Sequence, residues 1–250
     1  MALSGRVLVV AGIVLLGACA TSGTAVHREL AQSPERPLPK KVLLLPAEIR
    51  VHEISAGGVV EKVDEWSRTA SSHATKYVRG LASERRLFEL IEAPALGQEE
   101  QAQLDQHVAL YELVGASAAL ARASAFSVWQ ERAKDFDYTL GPGLKALAER
   151  TGIDAAMIVI GTDYISSAGR RAAMVMGVLL GVVTGAVILP QGGVSFLSVG
   201  VLDMRTGNLL WFGTDQSSAT DFRNERDLHQ MLERMFQTYP GLAPKAKRSA

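Results

Sequence analysis

Cysteine is almost absent from this 250-residue chain: there is one, Cys19. A single thiol excludes an intrachain disulfide and a cysteine-based zinc site. Net charge is absent too, with 26 basic and 26 acidic side chains and a sequence pI near 7.0. A chain so balanced has no general electrostatic pull on nucleic acid or on an anionic surface. Catalytic signatures are missing as well. None of His27, His52, His73, His107 and His229 is paired at metal-ligand spacing. There is no His-Glu-x-x-His, no Gly-x-Ser-x-Gly, no Walker-type loop and no GxGxxG. No cofactor and no metal are expected, and structural or surface roles are expected for the histidines. The carboxylates Glu61, Asp64, Glu65, Glu99 and Glu100 stand among basic residues on expected helices, which reads as a solvated face. Gly57-Gly58 reads as a turn. Asp135 and Asp137, flanking Phe136, are the one pair that looks like a small acidic recognition site.

What is present begins at the N-terminus. Hydrophobic residues make up 48% of the chain, enough for a packed core. Arg6 is a short positive region, Val7 to Leu16 is apolar, and Leu16-Gly17-Ala18-Cys19 follows. About ten apolar residues are too few to cross a bilayer core as a helix. This segment therefore reads as an export signal spanning residues 1–18. After its removal, which takes only Arg6 from the charge balance, the chain stays near neutral.

Leu16 to Cys19 resembles the lipobox of bacterial lipoproteins. That resemblance implies cleavage before Cys19, lipid on its sulfur, and membrane attachment that needs no basic patch. Ala20 follows the cysteine where an Asp would imply retention in the inner membrane, so the implied location is the outer membrane, facing the periplasm. Residues 19–40 carry Ser, Thr and the closely spaced Pro34, Pro37 and Pro39. They are expected to form a flexible tether with a stiffer, extended end.

Residues 41–240 are expected to form a single α/β (α+β) domain, a mixed sheet flanked by helices. Strands are expected at Lys41 to Ile49, Leu87 to Ile91, Ile153 to Gly161, Val194 to Met204 and Asn208 to Phe212. Val60 to Leu81 has apolar residues spaced by three and four and predicts a helix. Gln98 to Lys134 predicts one long helix or two shorter ones. Leu144 to Thr151 predicts a helix capped by Gly152, and Asn224 to Tyr239 a closing helix. Arg205-Thr206-Gly207 predicts a hairpin loop with glycine at positive φ. Residues 241–250 are expected to be a disordered tail.

Ala172 to Leu189 carries no charge and follows Arg170 and Arg171. It contains Gly177, Gly181 and Gly185 at four-residue spacing. On a helix these would form a smooth stripe along which a second backbone can approach, for self-association or membrane contact. A buried helix, a buried strand pair and an inserted helix all remain compatible with this insertion, 172–190.

Asp203-Met204-Arg205-Thr206-Gly207-Asn208-Leu209-Leu210-Trp211 resembles the D-x-x-T-G-x-x-x-W hairpin of a group of periplasmic lipoprotein domains. The group includes the curli secretion channel subunit, the penicillin-binding-protein activators and the amino-terminal domain of the Tol propeller protein. Lys41 to Pro46 resembles their opening strand, and Thr151 to Ala155 their entry to a central strand. Ser167 to Arg170 before an apolar stretch resembles proteobacterial outer-membrane lipoproteins. Asp203, Thr206, Gly207 and Trp211 are implied to be fold-defining, with Trp211 covering the edge of the core. The resemblance implies no enzyme but a binding or assembly role in the cell envelope, with a homo-oligomer or other envelope proteins as partners. An oligomeric membrane channel or secretion subunit is the alternative reading, and an envelope hydrolase a third.

Overall fold

A computed structural model describes residues 21–33, 35–123, 135–174 and 193–242. The expected α/β architecture is what it shows: a mixed eight-stranded sheet with helices on both faces.

The centre of the sheet is β6 (Ala155–Ser166), buried along nearly all its length. Its continuous apolar run, Ala155 to Ile160, suits a strand covered on both faces. β7 (Ser195–Asp203) pairs antiparallel with it, and β8 (Leu209–Ser217) pairs antiparallel with β7. The other edge of β6 is filled by two short parallel strands in succession. β2 (Lys41–Leu44) pairs with Ala155 to Met157, and β3 (Glu48–Ile54) pairs with Ile160 to Ser166. The single strand expected over Lys41 to Ile49 is thus broken at Pro46, which has no N–H to give to a ladder. β5 (Glu89–Ile91) adds to β2 in parallel, and β4 (Val60–Lys62) returns antiparallel along β3.

β1 (Thr21–Val26) corrects the expected tether. It pairs antiparallel with β8 over Thr21↔Gln216 to Val26↔Trp211 and forms the edge of the sheet. A short helix, α1 (Arg28–Gln32), follows, with Leu30 buried. Residues 21–33 thus belong to the folded unit rather than to a tether. Its serine and threonines and the prolines that follow read as a linker; the edge of β8 supplies the pairing that local propensity does not.

α2 (Asp64–Arg85) lies on one face with Ala70, Ala74, Val78 and Ala82 buried at four-residue spacing. It starts four residues later than its apolar spacing predicts, because Val60 to Lys62 joins the sheet. The closing helix, α5 (Glu225–Phe236), packs beside α2 with Leu228, Met231, Leu232, Met235 and Phe236 buried. Asn224 caps it by accepting the Arg226 N–H. The opposite face carries α3 (Gln98–Ala123) and α4 (Lys145–Thr151), the latter ended by Gly152 at φ +67°. Two apolar cores, one on each face, result. The tail also departs from expectation at its start, where Leu242 donates its N–H to Tyr239 and packs on the core.

Candidate functional site

The hairpin motif folds as its residues require. Asp203 Oδ1 accepts the N–H groups of Arg205 and Thr206 at 2.8 and 3.0 Å, and the Asp203 carbonyl accepts from Gly207. Thr206 Oγ1 accepts the Asn208 N–H. Gly207 has φ +76°, and a Cβ there would fall 2.0 Å from the Gly141 carbonyl oxygen. Trp211 does not cover an edge of the core: it is 1% exposed, stacked on Phe236 at 5.2 Å and edge-on to Tyr239 at 5.3 Å. The motif closes the β7–β8 turn, and Arg36 lies 3.9 Å from its Asp203 carboxylate.

The acidic pair is resolved in the same sense. Arg28 holds Asp135 at 2.9 Å and Asp137 at 3.9 Å, and Phe136 is buried in the core. Those carboxylates are tied to the protein's own cation rather than presented to a ligand.

A polar cluster that sequence reading missed sits where β6 ends and β7 begins. Asp163 is 1% exposed. Its Oδ2 accepts the Phe222 N–H at 2.8 Å, and its Oδ1 lies 2.8 Å from Ser195 Oγ. The same Oγ lies 2.8 Å from the Thr220 carbonyl. Burial pushes the Asp163 carboxyl up to about 6, against the Phe222 and Ser195 hydrogen bonds, which favour its charged form. Beside it Asp221 and Arg223 form a two-pronged pair at 2.7–3.2 Å, and the Arg223 guanidinium lies 4.4 Å from the centre of the Trp66 ring. Burial would raise the Asp221 carboxyl, but the bonds from Arg223 hold it below its ordinary range. Asp163 and Ser195 together clamp the base of the β6–β7 connection to the loop between β8 and α5. Among the described residues the hydrogen bonds of the Ser195 hydroxyl run to Asp163 and the Thr220 carbonyl, an arrangement that positions backbone. Its one sequence signal was a carboxylate inside an otherwise apolar strand pattern.

Two further surface features stand out among the described residues. A groove of about 810 Å³ runs between α2 and α5, lined by Tyr77, Leu81, Phe236 and Leu242 and by the charged Glu84 and Glu233. On the outer side of α3, Leu110, Leu113 and Leu120 are 41%, 68% and 70% exposed.

Four of the histidines make contacts within the fold. His27 Nδ1 accepts the Glu29 N–H at the start of α1, His52 stacks on Tyr164 at 5.0 Å, and His107 and His229 bond to backbone carbonyls. Among the described residues no group of three or more His, Cys, Asp or Glu is placed to hold a metal ion. No helix among them is long and apolar enough to cross a membrane. Cys19 and Gly177, Gly181 and Gly185 lie outside the described residues.

No family model matches the chain, and no curated protein does. Among solved structures, a PelC dodecamer from Paraburkholderia phytofirmans matches at 11% identity and a TM-score of 0.36, covering 91% of this chain and all of that one. A variant PelC dodecamer from the same organism matches at 9% identity and a TM-score of 0.34, covering 89% of this chain and 99% of that one. Likeness at this level says nothing about what this chain does.

Proposed function

We propose that the chain is a lipid-anchored protein of a bacterial cell envelope that works by binding and self-assembly rather than by catalysis. In this reading Cys19 carries the lipid, Ala20 directs the chain to the periplasmic face of the outer membrane, and the domain assembles with further copies or with other envelope proteins. One observation supports the anchoring above all: the only cysteine, Cys19, directly follows Leu16-Gly17-Ala18 at the end of the apolar run Val7 to Leu16. The binding part rests on α3. Leu113 and Leu120 stand seven residues apart, two helical turns, on a face that the rest of the described chain leaves open.

Mass spectrometry of the protein purified from membranes tests the anchor. The expected mass lacks residues 1–18 and carries added lipid. An intact Met1, or a free Cys19 thiol, would defeat the reading. Light scattering in detergent tests the assembly, and a strictly monomeric particle would remove self-association from it.

A further inference from the structure

Two acceptors compete for one hydroxyl hydrogen at the start of β7. Ser195 Oγ lies 2.8 Å from Asp163 Oδ1 and 2.8 Å from the Thr220 carbonyl oxygen. A hydroxyl has a single hydrogen to donate, and an ionised carboxylate only accepts. Asp163 and Ser195 are each 1% exposed, so an unmatched acceptor between them is costly.

A proton on Asp163 Oδ1 removes the mismatch. The carboxyl then donates to Ser195 Oγ, and Ser195 gives its own hydrogen to the Thr220 carbonyl. Asp163 Oδ2 still accepts the Phe222 N–H at 2.8 Å. The loop between β8 and α5 is held at two points, Thr220 and Phe222. Once the carboxyl is ionised, Ser195 turns its hydrogen to the charged oxygen, because such bonds are about twice as strong as neutral ones. The same charge strengthens the bond from Phe222. The Thr220 carbonyl is left facing a lone pair of Oγ and loses the bond that holds it.

The two parts of the loop are seated differently. Phe222 is buried, Thr220 is half-buried, and Ser218 and Ala219 are exposed. Among the charged groups around the cluster, Asp221 opposes ionisation of Asp163 and Arg223 favours it. Glu53 on β3 acts on Arg223, and Arg171 acts on Asp221. Asp215 on β8 is paired with Arg234 on α5 at 2.8 Å. α2 contributes the Trp66 ring, against the Arg223 guanidinium. His52, beside the Val51 that pairs with Asp163, is stacked on Tyr164.

We infer that Asp163 and Ser195 form a proton-operated latch: with Asp163 protonated, residues 218–220 are fastened to the start of β7, and with Asp163 ionised they are released while Phe222 stays anchored. Burial, which pushes the carboxyl up to about 6, places the change within ordinary solution conditions. Ser195 opens β7, so the same proton decides whether this loop and the base of the β6–β7 connection move together. The latch works whether or not Cys19 carries lipid.

The test uses the full chain with Cys19→Ala and Ala219→Cys, which carries a single spin label on the exposed part of the loop. Label mobility is followed from about pH 4.5 to about pH 8. The expected result is one step to higher mobility as pH rises, with its midpoint near 6. Asp163→Asn gives Ser195 an amide N–H and keeps an acceptor for Phe222, so the label is expected to stay restrained throughout. Ser195→Ala cuts the relay, and the label is expected to be mobile throughout. Arg205→Cys, labelled in place of 219 in the turn at the far end of β7, is expected to show no step. A step of the same size in Asp163→Asn overturns the latch and assigns the titration to another group such as His52. A parent label restrained at every pH overturns it too, and so does a label that stays restrained in Ser195→Ala. A step shared by the 219 and 205 labels overturns local release in favour of general loosening.

Discussion

The ring of Tyr111 on α3 occupies the space that any side chain at Gly200 on β7 would need: a Cβ there would fall 2.2 Å from Tyr111 Cε2. That close approach seats α3 on the sheet. Gly200→Ala is therefore expected to force the helix outward and to destabilise the fold by roughly 1–3 kcal/mol. Urea unfolding checks this. Tyr111→Leu in the same chain is expected to recover part of the loss, because it removes the ring edge that clashes.

The same tyrosine tests what a buried hydroxyl pair contributes. Tyr111 Oη and Ser198 Oγ are 2.6 Å apart and both residues are buried. Tyr111→Phe leaves Ser198 without that partner and is expected to cost about 1–2 kcal/mol. Adding Ser198→Ala is expected to cost little more, so a double-mutant cycle should show clear coupling. Strict additivity would mean that the pair does not interact.

Asp163 sets a pH dependence whose sign is fixed by its burial. Its carboxyl titrates near 6 in the folded chain, above the ordinary value of 3.8. The raised value means that its favourable contribution is complete below about pH 4 and is lost as pH rises through 6. Asp221 opposes its ionisation and Arg223 favours it. Asp163→Asn keeps an acceptor for the Phe222 N–H and adds a donor toward Ser195 Oγ, which can then give its own proton to the Thr220 carbonyl. The variant is expected to gain on the parent between about pH 4 and pH 6.5, by about 2–3 kcal/mol at the upper end, and to keep that gain above it. Chemical unfolding of both proteins across that range measures it, and a constant difference would show that Asp163 does not titrate there.

Gly207 is expected to tolerate no side chain. Its φ of +76° and the 2.0 Å approach of the Gly141 carbonyl to a built Cβ act together. Gly207→Ala is expected to cost roughly 2–4 kcal/mol, more than positive φ alone. A thermal melt that scarcely moves would show that the loop at Gly141 gives way easily.

Cys19→Ala is expected to move the protein from the membrane fraction to the soluble fraction, or to reduce its attachment to what the apolar surfaces alone provide. Fractionation after a salt wash separates the two outcomes. A variant held as firmly as the parent would show that the cysteine is not the anchor.

Much of the fold was legible because its signals are local. The buried run at β6, the Gly152 stop after α4, the Thr-Gly turn between β7 and β8 and the apolar stripe of α5 each announce themselves within a dozen residues. Three departures share a different cause. β1 has little strand propensity and exists because β8 has an edge to pair. Val60 to Lys62 continues the apolar spacing of α2 yet is drawn into the sheet by β3. Pro46 splits one apolar run into two strands that share an edge of β6. In each case a partner distant in sequence outweighs local preference.

The amino-acid order alone determined the lone cysteine behind an apolar run, the charge-free run from Ala172 to Leu189 and the residues of the hairpin, because composition, spacing and turn chemistry are properties of neighbours along the chain. Tertiary structure alone decided that Asp163 meets Ser195 and Phe222 and that Arg28 occupies Asp135 and Asp137. Chain pairing and packing made those choices, since they bring together residues 32 positions apart at Asp163 and Ser195 and 107 apart at Arg28 and Asp135, and no local pattern records which will meet.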